Sequence, residues 1–354
     1  MTRLARLRAR GQLARAVGPR GAWRLRGQNA RLAELRSWRR VVYRRIWAEA
    51  AAEVGAELEE LGDGFLELRA RGRRTRVREE LVALDDPVAI ELSFDKSLVH
   101  RLLAREGLRV PEHVEIDAQS PDGAAAFLVR GRSVVKPASG TGVGAGVTAG
   151  IERPDELGRA IAAASLYGDR ILLERHVEGD VYRLLLLDGE LLDTIRKRPP
   201  LLVGDGRSTV LELIEAENRR RLDARGEAGL WLLRVDPDAL LTLGRAGLGP
   251  GSVVPQDETI QIKSVTNQNR VEDNTTVREA PAPELVAEAA AAAACVGLRL
   301  AGVDLVTPSL EGSLAEIGGV VLEVNCTPGL HHHYLVAEPD RATRVAVPIL
   351  RRLL

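Results

Sequence analysis

Apolar and polar positions along this chain switch repeatedly between helical and strand spacing, and the switches mark out its elements. From residue 41, VVYRRIWAEAAAEVG repeats apolar side chains every three to four residues and predicts an amphipathic helix that stops at Gly55. AELEEL, FLELRA and RTRVRE follow as short strands, with Gly62-Asp63-Gly64 and Arg71-Gly72-Arg73 as hairpin turns. FDKSLVHRLLAREG returns to helical spacing, with Asp95 as N-cap and Gly107 as stop. A short helix beginning at Asp122 leads to a strand that ends at Lys136, and Pro154 to Gly168 bracket another helix. ILLE is an apolar strand, and two more strands meet at the turn Asp188-Gly189. GDGRSTVLELIEAENRRR predicts a turn and a long helix capped near Ser208. An irregular Gly- and Pro-rich stretch and a polar loop, KSVTNQNRVEDNTTV, precede an Ala-rich helix at 283–296. The strands AGVDLV and VVLEVN and a closing helix at 340–354 complete the chain, which shows no internal repeat. The fold class is α/β (α+β), with length for two or three packed units.

Composition sharpens this picture in three places. Aromatic residues are only 3% of the chain, so its cores must be built from Leu, Val, Ile and Ala. The longest apolar run, residues 289–296, is too short to cross a bilayer. Cys295 and Cys326 give no disulfide framework and fit a reducing compartment, so a cytoplasmic protein is expected. The net charge of zero hides an asymmetry: residues 1–45 hold fourteen arginines against Glu34 alone, a balance of +13 that the remainder offsets. Arginines this frequent leave no room for a secretory signal core, and scarce serine argues against a transit peptide. Residues 1–40 therefore read as a basic helical arm broken near Pro19, either solvated or turned toward an acidic peptide, a carrier protein or an anionic membrane surface. No nucleic-acid partner is expected, and a homo-oligomer is. Of 50 basic residues only Lys96, Lys136, Lys197 and Lys263 are lysine. In such a background a lysine marks a position where a compact ammonium on a flexible stem is useful, although chance explains any one of them.

Two stretches carry candidate chemistry. VVKPASGTGVGAGV, residues 134–147, delivers Lys136 from a strand into a loop with glycine at 140, 142, 144 and 146. Glycine lets backbone amides approach an anion and tolerates the positive φ of an amide nest, so the loop suits phosphate, though a mobile hairpin tip has the same composition. It is neither a Walker loop nor a dinucleotide fingerprint, because the lysine precedes the glycines. The second stretch is the final strand pair. Asp304 ends one strand, and the alternation of VVLEVN puts Glu323 and Asn325 on a single face. Together they form a hard-oxygen set suited to Mg²⁺, or else a cross-strand polar network at a sheet end.

Taken in chain order, Lys96, Lys136 with its glycine loop, ILLERHVEG, Tyr182-Arg183, Arg198, Asp304 and EVNCTPG resemble the ATP-grasp ligases. GDGRSTVLELI, AGVDLV and EVNCTPGL are similar in particular to the ATP-grasp part of the cyanophycin synthetases and to glutathione synthetase-like enzymes. The resemblance covers about residues 93–354. It implies an ATP-grasp fold, with two lobes closing on ATP. The expected divisions are a basic arm (1–40), a small N-terminal α/β domain (41–92), an N-terminal lobe with the glycine flap (93–173) and a C-terminal lobe with the metal site (174–354).

The resemblance also implies roles. Lys96 and Lys136 would bind the α- and β-phosphates, and Ser139, Gly140, Gly142 and Gly144 would belong to a flap closing over the γ-phosphate. Glu174, with the backbone of Arg175, His176 and Val177, would take adenine, and Asp180 the ribose. Asp304, Glu323 and Asn325 would hold two Mg²⁺, while Arg183 and Arg198 would bind the carboxylate and its acyl phosphate. The implied reaction phosphorylates a carboxylate with ATP and lets an amine displace phosphate, on small amino acids or peptides. The loop TNQNRVEDNTT departs from the Ser-Thr-Gly-Gly of these relatives, which makes Asn269, Arg270, Glu272 and Asp273 candidates for contacting the amine. The Mur-ligase-like half of the polymerising enzymes is missing from the sequence, so single additions are expected. His331, His332 and His333 have the look of a zinc tract but follow Pro328-Gly329 at a substrate-facing turn, and Cys326 reads as packing. An ATP-grasp kinase, or a non-catalytic nucleotide-binding protein working through the arm, is the alternative.

Overall fold

The computed structural model describes residues 32–354, so the basic arm up to residue 31 lies outside the described residues. No helix among the described residues is long and apolar enough to cross a membrane. Helix α1 (Leu32–Val54) starts well before Val41. Leu35 is the reason: it is buried against Leu222 and Leu232 and continues the stripe formed by Val42, Tyr43, Ile46, Trp47 and Ala50. The helix stops where Gly55 adopts a φ of 73° and the Ala56 amide donates to the Ala51 carbonyl. Strands β1 (Glu57–Gly62), β2 (Phe65–Ala70) and β3 (Arg73–Arg78) follow as an antiparallel sheet joined by the two expected hairpins.

The apolar face of these elements is shared with the end of the chain. Trp47 is fully buried in one core with Leu66, Leu68 and Val77, and also with Leu185, Leu187, Leu300 and Leu350. Its indole N–H donates to the Glu79 carbonyl at 2.8 Å. Trp47→Ala is therefore expected to lower the unfolding free energy by about 3–5 kcal/mol. Denaturant titration should show this as a lower midpoint at constant slope, with half-exposed Val41→Ala as a near-neutral control.

Helices α2 (Pro87–Ser93) and α3 (Lys96–Arg105) lead into the N-terminal lobe; Asp95 caps α3 by accepting from the Leu98 amide at 2.9 Å. That lobe contains β4 (His113–Asp117), α4 (Ala124–Val129), β5 (Ser133–Pro137), β6 (Thr148–Ile151), α5 (Pro154–Ala164) and β7 (Arg170–Arg175). Its four strands run antiparallel in the order β4-β7-β5-β6, and Phe127, Val135, Ile151, Leu157 and Ile171 form its core. Residues 138–147 connect β5 to β6, so the glycine loop is the tip of a hairpin.

The C-terminal lobe begins with β8 (Asp180–Leu187), β9 (Glu190–Lys197) and β10 (Leu201–Val203), then α6 (Val210–Asp223), α7 (Pro237–Arg245) and β11 (Thr259–Gln261). The cap of α6 is Thr209, one residue past Ser208, in a capping box with Glu212. Strand β12 (Asn274–Thr276), α8 (Pro283–Val296), β13 (Leu300–Thr307), α9 (Leu314–Ile317), β14 (Val320–Asn325) and α10 (Ala346–Leu353) complete it. Five strands pair antiparallel in the order β12-β9-β8-β13-β14. Tyr182, Leu184, Ala301, Val303 and Leu305 turn to the face covered by α8. The opposite face is divided: Leu185, Leu187 and Leu300 meet α1, whereas Arg183, Lys197, Asp304 and Glu323 stand at the end that faces the other lobe. Strand alternation thus separates a core face from one that is half core and half polar site.

Candidate active site

A cavity of about 440 Å³ lies between the lobes and is walled by the glycine loop, the start of β8, residues of β13 and β14, and residues 264–271. Lys96, from the start of α3, and Lys136, from β5, both line it. The Lys96 ammonium donates to the Thr141 carbonyl at 3.0 Å and stands 3.5 Å from Glu323 Oε1. Lys136 lies 2.5 Å from Oε1 of Glu174, whose carboxylate is almost wholly buried. Behind Glu174, His100 donates from Nε2 to the Leu322 carbonyl; burial outweighs the pull of Glu174 and lowers its pKa to about 4, leaving the ring neutral.

The loop is stitched down at its base and free to shape the cavity at its tip. The Lys96 amide donates to the Ala138 carbonyl at 2.8 Å and Ser139 bridges to Asp95, so Ser139 and Gly140 lie off the cavity wall. Thr141, Gly142, Val143 and Gly144 form the wall itself. Val143 and Gly144 take consecutive positive φ values of 56° and 67°, and the Ala145 amide donates to the Gly142 carbonyl at 3.1 Å, so the tip is a tight turn of the primed type. A Cβ on Gly144 would sit 3.1 Å from the Asn267 amide nitrogen, which shows how closely the tip meets the C-terminal lobe.

Register aligns the polar end of the large sheet. Arg183 pairs across from Asp304, and Asp304 from Glu323. The Arg183 fork donates to both Asp304 oxygens, at 2.7 and 2.6 Å, with both side chains buried. Although burial works against the ionised carboxyl, Arg183 and Lys197 hold Asp304 below the usual carboxylate range. Asn325 donates its amide to the Gly302 carbonyl at 3.1 Å and lies beside Asp304 Oδ2.

Arg198 is not part of this group. It is exposed and off the cavity wall, while Lys197 is buried on it, 4.0 Å from Asp304 Oδ2. The reason is parity. Arg183 pairs with Ile195 and Val181 with Lys197, so Lys197 shares the face of Arg183 at the end of β9, while Arg198, the residue after that strand, has the opposite parity. Lys197 carries a separate signal in the sequence as one of the four lysines. Lys263, the last of these, is buried against Asp236 and anchors the loop that follows it.

The other candidate residues divide similarly. Arg175, His176, Val177 and Asp180 all reach the cavity wall. The Arg175 and His176 amides already donate to the carbonyls of Glu112 and Arg132, so neither is left for a base. The Arg175 guanidinium lies over Phe127, 4.4 Å from the ring centre. Arg196 donates to Asp180 at 2.7 Å. Asn269 and Arg270 reach the wall but are held internally: Asn269 donates to Asn274 Oδ1 at 2.8 Å and Arg270 to Asp273 Oδ1 at 2.8 Å. Glu272 and Asp273 are off it. In the histidine tract, His331 Nδ1 meets the Tyr43 hydroxyl at 2.9 Å and His333 Nδ1 meets Asp193, so these two rings are committed in different directions. Cys326 is buried in the core beneath α8. Arg39, Glu80 and Trp231, which the pattern of motifs does not single out, also line the cavity.

No protein-family model matches the chain. Curated relatives do. The chain is 29% identical over 304 residues to a cyanophycin synthetase from a Nostoc species, covering 81% of this chain and 34% of the relative. It is 31% identical over 286 residues to a Synechocystis cyanophycin synthetase, covering 78% and 32%. A glutathione biosynthesis bifunctional protein from Desulfotalea psychrophila is 24% identical, covering 79% and 36%. The chain thus spans about a third of the length of these relatives. Among solved structures, a bifunctional glutathione synthetase from Pasteurella multocida superposes with a TM-score of 0.54 at 21% identity, over 86% of this chain and 42% of that one. The chain has the ATP-grasp fold and is a relative of these ligases.

The ATP-grasp fold implies Mg²⁺, and the residues present fit it. Asp304, Glu323 and Asn325 are two carboxylates and a carboxamide on adjoining strands, all on the cavity wall. Hard oxygen donors of this kind suit a small divalent cation that keeps part of its coordination for water and phosphate. The Asn325 amide nitrogen is spent on Gly302, which leaves its oxygen as the atom for a cation.

Proposed function

We propose that this chain is an ATP-dependent ligase that joins a carboxylate to an amine through an acyl phosphate and releases ADP and phosphate. The observation that carries the reading is one wall shared by three groups: two lysines beside the glycine loop, three oxygen-bearing side chains, and the Arg183–Lys197 pair. Adenine is placed against Glu174, whose buried Oε2 has no hydrogen-bond donor among the described residues and suits an exocyclic amine. Lys96 and Lys136 bind the polyphosphate, and the tip of the loop covers the γ-phosphate and keeps water from a hydrolysable acyl phosphate. Two Mg²⁺ held by Asp304, Glu323 and Asn325 would offset charge on the phosphates. Arg183 and Lys197 hold the reacting carboxylate and stabilise the oxyanion that forms when the amine attacks. No protein nucleophile takes part. The substrates are small amino acids or peptides, and the basic arm is a further surface for an acidic peptide or carrier.

The test is ADP and phosphate release with Mg-ATP across amino acids and short peptides, with mass spectrometry of the products. A product lighter by one water than its two precursors, formed in step with ADP, is the expected result. ADP formed with a phosphorylated compound and no condensation would overturn the ligase in favour of a kinase.

A further inference from the structure

Strand β6, which returns from the glycine loop, is an edge of the N-terminal sheet, and its pairing with β5 is irregular between Thr148 and Ile151. An edge strand leaves outward N–H and C=O groups without a ladder partner. Here side chains of the other lobe take them. The Ala149 amide donates to Asp238 Oδ1 at 3.0 Å, and Arg245 donates to the Gly150 carbonyl. Asp238 and Arg245 stand near the two ends of α7, a helix of the C-terminal lobe. Between them Leu241 packs against the core of the N-terminal lobe, and Arg245 also lies 3.6 Å from Glu156 of α5.

The second oxygen of Asp238 is bonded elsewhere. Oδ2 accepts from the amides of Ser264 and Val265 at 2.9 and 3.2 Å, and Thr242 Oγ1 lies 3.0 Å from Ser264 Oγ. Ser264 and Val265 open the stretch 264–271 that walls the cavity. One fully buried carboxylate therefore joins two segments far apart in sequence, the return strand of the glycine hairpin and the start of the facing wall. Packing α7 on β6 needs no charge, since an apolar side chain fills such a position at less cost. Burial pushes the Asp238 carboxyl up, and Lys263 opposes this. Three N–H donors on one carboxylate make it a joint between the segments. The same two segments approach again at the tip, where Gly144 abuts Asn267.

Resting on the ligase reading above for the part the nucleotide plays, we infer that Asp238 is a positioning residue. It fixes residues 264–267 to the glycine hairpin, so that a nucleotide gripped by the hairpin sets the opposite wall of the cavity through α7.

Hydrogen exchange of the full chain, read by mass spectrometry with and without Mg-AMPPNP, tests this. In the wild type the nucleotide should slow exchange at 139–150 and, by about tenfold or more, at 263–268. Asp238→Asn puts an amide group where one set of N–H donors needs an acceptor. Without nucleotide it should raise exchange about tenfold or more at both 148–151 and 263–268. With Mg-AMPPNP it should keep the protection at 139–147 and lose that at 263–268. Arg245→Met, at an exposed position, serves if Asp238→Asn does not fold, and should weaken the protection at 263–268 about threefold. Leu243→Ala lowers stability from the core shared with Val210 and Ile214, and should leave that protection intact. Protection at 263–268 that survives both joint variants, or that Leu243→Ala abolishes equally, would overturn the positioning role. Should Mg-AMPPNP protect neither segment of the wild type, the nucleotide reading falls, and the nucleotide-free variants decide the joint: faster exchange at both segments upholds it, and at one alone refutes it.

Discussion

Lys136→Ala is expected to reduce Mg-ATP-dependent turnover roughly 10²–10³-fold, the usual effect of removing one preorganised charge from a transferring phosphoryl group. Stability should fall too. Lys136 is the cation beside the buried Glu174, and truncating one member of such a pair costs about 3–5 kcal/mol because the other is left buried and charged. The two effects can be separated. Adding Glu174→Gln removes the stranded charge, so the double variant should regain much of its melting temperature but not its turnover. If turnover returned with stability, Lys136 would be a structural partner of Glu174 and not a phosphate ligand.

Lys197→Met should lower turnover by roughly 10²-fold, with the loss divided between kcat and the KM of the carboxylate substrate. Arg198→Ala, one residue further on, should leave both within about twofold, since exposed side chains away from a site contribute little. The contrast tests strand parity directly. Lys197 shares the face of Arg183 and Asp304, and burial is the largest influence on its ammonium, bringing its pKa down to about 8. An active Lys197→Met with an inactive Arg198→Ala would mean that β9 is displaced by one residue, which would invert both its faces.

Glycine residues and period-two alternation made much of the site legible in advance. A lysine followed by glycines at alternate positions needs no partner from elsewhere to declare a hairpin tip, and Val143 and Gly144 adopt the positive φ such a loop requires. VVLEVN places Glu323 and Asn325 on one face through local geometry alone, and the pairing of β13 with β14 sets Asp304, already a candidate, opposite Glu323. The helix 283–296 and the turn Asp188-Gly189 were equally plain, because periodicity and turn chemistry are local.

What spacing could not supply was register and burial. Counting residues from Arg183 to Arg198 does not reveal which member of the Lys197-Arg198 pair lies across from the site; only the pairing of β8 with β9 does. The amides of Arg175 and His176 looked available until packing of β7 against the chain beside it consumed them. Arg39, Glu80 and Trp231 were invisible for the same reason. They are about 40 and 150 residues apart in sequence and meet because α1 shares a core with β8, β13 and α10. The sequence by itself determined which segments would be strands, helices and a glycine flap, since backbone propensity and side-chain periodicity act over a few residues. The tertiary structure alone decided which side chains of those segments face one another across the cavity, because burial, pairing and charge compensation depend on neighbours that the chain order does not name.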